Sequence, residues 1–65
     1  MNPNADLLHD VQEFMVHYGF SDSTFGLRAT GDGHLVRRIR DGKVIRRSSI
    51  VKIRRFMARY EIDAA

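Results

Sequence analysis

The stretch LVRRIRDGKVIRR, residues 35 to 47, decides how this chain folds. Its Asp41-Gly42 pair, flanked by apolar and basic residues, is a strong short-range signal for a two-residue hairpin turn. A glycine after an amphipathic turn equally marks the end of a helix. The first reading makes a basic ribbon, the second a short helix followed by a basic loop. Hairpin pairing sets Arg40 against Lys43, Ile39 against Val44, Arg38 against Ile45 and Arg37 against Arg46. Two of these four pairs oppose like charges, which destabilises a sheet. Alternation fails too, because Leu35-Val36, Arg37-Arg38 and Val44-Ile45 are neighbours of one kind. As a helix the same residues are consistent: Leu35, Val36 and Ile39 share one face, Asp32 caps the start and Gly42 provides a left-handed exit. The spacing therefore predicts a helix that stops at Gly42, then an exposed loop, KVIRRSS, over residues 43 to 49.

Upstream, SDSTFGLRATGD (residues 21 to 32) predicts a helix over Asp22 to Ala29 that is capped by Ser21 and buries Phe25, Ala29 and Leu27. Gly26 lies inside it. Glycine there costs roughly 0.5 to 1 kcal/mol against alanine, so its presence marks a place where another backbone comes close. Further upstream, Leu7, Val11, Phe14 and Tyr18 recur at helical spacing, widened by Leu8 and Met15, and predict a helix over residues 4 to 18. Asp6 and Asp10 suit its positive end, and Gly19 followed by Phe20 resembles a left-handed stop. Downstream, Ser48 or Ser49 is expected to cap a last helix over residues 49 to 61. Ile50, Ile53, Phe56, Met57 and Tyr60 lie on one side of it, and Lys52, Arg55 and Arg59 on a neighbouring side. Residues 63 to 65 are expected to fray. The fold class predicted is all-α, a compact four-helix domain over residues 1 to 65.

Sixty-five residues allow one small core, and the absence of cysteine removes both disulfides and thiolate metal sites as stabilisers. That absence also suits a reducing cytoplasmic setting, and no apolar run is long enough for a membrane span or a signal peptide, so a soluble cytoplasmic protein is expected. The formal charge of +3 conceals an asymmetry. Residues 1 to 32 hold one base and five acids, whereas residues 33 to 65 hold ten bases and three acids. A basic half favours a polyanionic partner through counterion release. With nine arginines against two lysines the composition favours nucleic acid, because the forked guanidinium suits phosphates and guanine edges. The plainer reading is a charged surface that only maintains solubility.

Two short helices joined by a tight turn, the second beginning at a capping Asp and carrying arginines, are the ingredients of a helix-turn-helix. Residues 21 to 42, SDSTFGLRATGDGHLVRRIRDG, resemble that motif in the lambda repressor and Cro-like (Xre) regulators. Phe25 and Gly26 match the apolar and small residues midway along the family's first motif helix. Ala29, the Thr30-Gly31 turn, Asp32, Val36, Ile39 and Gly42 follow at the family's spacing, and the first and last helices fall where it places its supporting helices. The resemblance implies that residues 33 to 41 form a recognition helix in the major groove of double-stranded DNA. Gly33, His34, Arg37 and Arg38 would then face base edges, with Arg38 suited to the O6 and N7 acceptors of guanine. Lys43, Arg46 and Arg47, in the loop where the family grips phosphates, would hold the DNA backbone together with Arg40. Three positions depart from the pattern: Asp22 stands where many relatives carry a phosphate-touching glutamine, Thr30 replaces a frequent turn glycine, and Arg40 occupies a site that is commonly polar or acidic.

Simpler roles compete for several of these residues. Arg40, Arg54 and Arg59 fit solvated helix surface, and Tyr60 fits core better than base stacking. His9, Glu13 and His17 share a helix face at metal-binding spacing, but that face lies opposite the apolar stripe and reads as solvent surface. No catalytic constellation, metal, cofactor or small-molecule ligand is expected. Val16, with Ile62 or Val44, marks a candidate self-association patch for a homodimer on a palindromic site. The alternatives to DNA binding are a protein-interaction module, antitoxin-like or inhibitory, that uses the basic face, and an RNA-binding hairpin over residues 35 to 47.

Overall fold

Leu7, Val11, Phe14 and Met15 are buried on one side of α1 (Ala5–Tyr18), as the spacing of its apolar residues requires. The computed structural model describes residues 1 to 64 and continues with α2 (Asp22–Thr30), α3 (Leu35–Arg40) and α4 (Arg47–Ala64). Among these residues there is no strand, so the segment 35 to 47 is a helix, a loop and the first residue of α4, and the hairpin reading is overturned. Like charges opposed in two of its four pairs would have weakened a ribbon there. No described helix is long and apolar enough to cross a membrane.

The helices pack α2 against α3 and α4, and α1 against α3, within 34 × 21 × 18 Å. Phe25, Leu35, Val36, Ile39, Ile53 and Val11 are fully buried, and among the described residues no buried polar residue accompanies them. α3 has only six residues, too few to persist alone, and three of them are sealed in this core. Tertiary burial therefore holds it. A second layer gathers all six aromatic residues around Phe14, whose ring centroid lies 4.7 to 5.9 Å from those of Tyr18, Phe20, Phe25, Phe56 and Tyr60. The Arg28 guanidinium covers this cluster, 5.4 Å from the Phe20 centroid and 5.7 Å from those of Phe56 and Tyr60. Tyr60 is thus occupied by packing.

The predicted helix stops are present. Gly42 follows α3 with φ +76°, and the Lys43 amide donates back to the Arg38 carbonyl at 3.0 Å, so the chain turns out of the helix through the left-handed region. Gly19 and Gly31 end α1 and α2 with the same sign of φ. Ser21 caps α2 as expected, its hydroxyl accepting from the Thr24 amide at 3.3 Å.

Other boundaries differ from the sequence reading. α4 begins at Arg47, two residues before the expected start, so Ser48 and Ser49 lie in its first turn rather than at its cap. It continues through Asp63 and Ala64, which were expected to fray, and an Arg59–Asp63 ion pair of 3.5 Å spans its last turns. The loop after Gly42 is not wholly exposed, because Ile45 turns in and joins the core. Leu27 faces outward, 58% exposed, and Ala29 is half-buried.

Candidate nucleic-acid interface

α3 presents two opposite faces. Leu35, Val36 and Ile39 seal it to the core while Arg37, Arg38 and Arg40 project into solvent, because residues one and two apart on a helix point in different directions. Of the residues expected to face bases, Arg37 and Arg38 are on this exposed helical face, and His34 is exposed at the position preceding α3. Gly33 is half-buried beside the Leu27 side chain. The expected helix over 33 to 41 is therefore shorter, since Gly33 and His34 belong to the turn and Asp41 terminates the helix. Backbone bonding explains the late start. The Asp32 carbonyl accepts from the Leu35 amide at 3.2 Å, and its carboxylate accepts from the His34 amide at 2.9 Å. The Asp32 carboxylate thus caps the turn rather than the helix, because the expected N-cap position of α3 falls to His34, which makes no side-chain cap bond.

Close packing of α2 and α3 depends on Gly26. A Cβ there would overlap the Asp32 carbonyl oxygen and would come within 3.2 Å of Leu35 Cβ. This is the close backbone approach that a glycine inside α2 implied.

The other end of α3 is held by the chain's first residues. Asn2 Nδ2 donates to the carbonyls of Ile39 and Arg40 at 3.1 and 3.0 Å, and Asn4 Nδ2 donates to Lys43 at 2.7 Å. The carbonyls of Ile39 and Arg40 are among those a helix end leaves without α-helical donors, whereas Lys43 belongs to the loop that follows. Asn2 and Pro3 also flank Gly42, where a Cβ added to the glycine would lie 3.6 Å from each. The sequence offers no signal for this, because the partners are 37 to 39 residues apart.

Two of the α3 arginines are engaged. Arg38 Nη2 lies 2.6 Å from Asp32 Oδ2, and Arg40 Nη1 donates to Asp22 Oδ2 at 2.9 Å. The hydrogen bond and the charge of Asp22 raise the Arg40 pKa above its ordinary value, so its positive charge is secure. Two departures from the family pattern, Asp22 and Arg40, are thereby each other's partners. Arg40, expected on phosphates, is exposed at the surface while it pairs with Asp22. No ion pair involves Arg37, Lys43, Arg46, Arg47, Lys52 or Arg55 among the described residues, and all are exposed. Lys43 and Arg46 occupy the loop as expected, whereas Arg47 opens α4.

Between α3, this loop and α4 lies a cleft of about 380 Å³ lined by Thr30, Asp32, Arg38, Val44, Ile45, Arg46, Ser49 and Lys52. It brings Arg38 and Arg46 together with Lys52, a residue for which the sequence suggested only a helix side. A larger open groove of about 980 Å³ runs between α1 and α4, with Phe14, Tyr18 and Met57 among its lining and His9, Glu13, His17 and Glu61 beside them. Asp10 and Arg54 bridge the two helices there at 2.6 Å. His9 meets Glu13 at 3.3 Å, and no group of three potential metal ligands occurs among the described residues. The acidic side chains of this groove suit a polyanion less well than the basic cleft. Val16, Val44 and Ile62, the candidate self-association residues, are all exposed. No family of known proteins, curated protein or solved structure matches the chain.

Proposed function

We propose that this chain is a sequence-specific double-stranded DNA-binding domain, a small bacterial or phage transcriptional regulator that acts by occupying its operator. In this reading α2 and α3 form a helix-turn-helix of the lambda repressor and Cro-like type, and α3 enters the major groove. The observation that carries the reading is the division of α3 into a sealed apolar face and an exposed arginine face, flanked by the basic loop and the start of α4. Arg37 and Arg38 read base edges with His34 and Gly33 beside them, and Lys43, Arg46 and Arg47 grip phosphates. Arg40 adds to the local positive field while it remains bound to Asp22.

A homodimer would place two α3 helices about one DNA turn apart on a palindromic site. The alternative, a protein-interaction module whose basic face meets an acidic partner, draws on the same exposed arginines. Retention of a random duplex pool at low salt, followed by selection of bound sequences, tests the proposal. Enrichment of a defined site supports it. Failure to retain any duplex at low salt overturns it in favour of the protein partner.

A further inference from the structure

Asp32 has a second attachment beyond its cap. Its Oδ1 accepts from the His34 amide at 2.9 Å, while its Oδ2 lies 2.6 Å from Arg38 Nη2. The carboxylate is therefore pinned by backbone on one side and holds a guanidinium on the other. Arg38 meets the carboxylate through Nη2 as an ion pair, and among the described residues its guanidinium makes no hydrogen bond to any other group. Arg46 and Lys52 line the same cleft, and Asp32 is the one carboxylate among the residues lining it. Repulsion from two further cations would drive an untethered Arg38 away from the domain, and an exposed arginine otherwise samples many rotamers.

We propose that Asp32 is a positioning residue that sets sequence selectivity, fixing the Arg38 guanidinium at the start of α3 so that its free nitrogens meet a base edge in one orientation. The inference rests on the DNA-binding reading above. Ordering the fork before DNA arrives lowers the entropy lost on forming a base contact, and that contact exists only where the correct base stands. The same carboxylate disfavours wandering of Arg38 onto phosphates, which are present in every sequence, so indiscriminate binding is weakened. Asp22 provides an internal comparison. It removes the same unit of charge from the same helix by pairing with Arg40, two residues beyond Arg38.

The test compares Asp32→Asn with Asp22→Asn in the full chain, using a random duplex pool and the duplex most enriched by the unaltered protein. Asn at position 32 retains an oxygen to accept the His34 amide, so the cap survives while the charge is lost. Both variants raise affinity for random duplex through the lost negative charge. Asp32→Asn alone lowers the ratio of selected to random affinity, by about five- to tenfold. In an Arg38→Lys background, which retains charge but lacks the fork, Asp32→Asn produces no further drop in that ratio. A ratio in Asp32→Asn equal to that in Asp22→Asn overturns the positioning role, as does an undiminished effect in the Arg38→Lys background. Failure of the unaltered protein to retain any duplex overturns the DNA-binding reading and this inference together.

Discussion

Gly26 and Asp32 meet backbone to backbone: the Asp32 amide donates to the Gly26 carbonyl at 3.3 Å, and the Asp32 carbonyl fills the space a side chain on residue 26 would need. One contact therefore sets how closely α2 approaches α3 and where the turn before α3 is anchored. Asp32 joins that approach to the arginine face, since its carboxylate also holds Arg38.

Gly26→Ala should destabilise the domain by about 1 to 3 kcal/mol, the usual range for forcing atoms into a packed site. The obstacle is backbone rather than a movable side chain, so the turn itself must shift. Urea unfolding measures the loss. A stability equal to or above that of the unaltered chain, as helix propensity alone would favour, would contradict the close approach.

Removing either amide that holds the end of α3 should cost about 0.5 to 1.5 kcal/mol for each hydrogen bond lost, so Asn2→Ala should cost more than Asn4→Ala. Asn2→Ala loses the donors to Ile39 and Arg40, and Asn4→Ala loses the donor to Lys43. Hydrogen exchange at the amides of Asp41, Gly42 and Lys43, which close the end of α3, should accelerate with little change in α1. Uniform acceleration throughout the chain would argue against a local cap.

On the proposed DNA-binding reading, affinity should respond differently to the groups assigned to base edges and those assigned to phosphates. Arg38→Ala should cost roughly 1 to 3 kcal/mol on the selected site and relax the preference at one base. Arg47→Ala should weaken all duplexes evenly and reduce the slope of log affinity against log salt by about one. Salt titrations on selected and random duplexes separate the two, and equal behaviour of both variants would remove the division of roles.

The Asp22–Arg40 link should be insensitive to alkali over the accessible range. A raised folded-state pKa for Arg40 contributes stability that is fully present below the ordinary arginine value and is lost only as pH rises through the folded value. The stability difference between the unaltered chain and Asp22→Asn should stay constant from neutrality to about pH 10, well below arginine deprotonation. A difference that shrinks across that window would locate the pairing energy elsewhere.

The features readable from residue order are local. Helix existence follows from apolar spacing, as in Leu7, Val11 and Phe14, and helix ends follow from glycines that can adopt positive φ, as at Gly42. The faces of α3 were legible for the same reason, since Leu35, Val36 and Ile39 lie together whatever they pack against. The tertiary structure alone decided which polar groups meet. Asp22 finds Arg40 across 18 residues, Asn2 finds Ile39 across 37, and Arg54 finds Asp10 across 44. It also decided that Ile45 turns inward from a loop of basic neighbours. Pattern in a sequence reports the period of a helix, whereas the direction in which a charged or amide side chain is satisfied depends on which donors and acceptors packing leaves within about 3 Å of it.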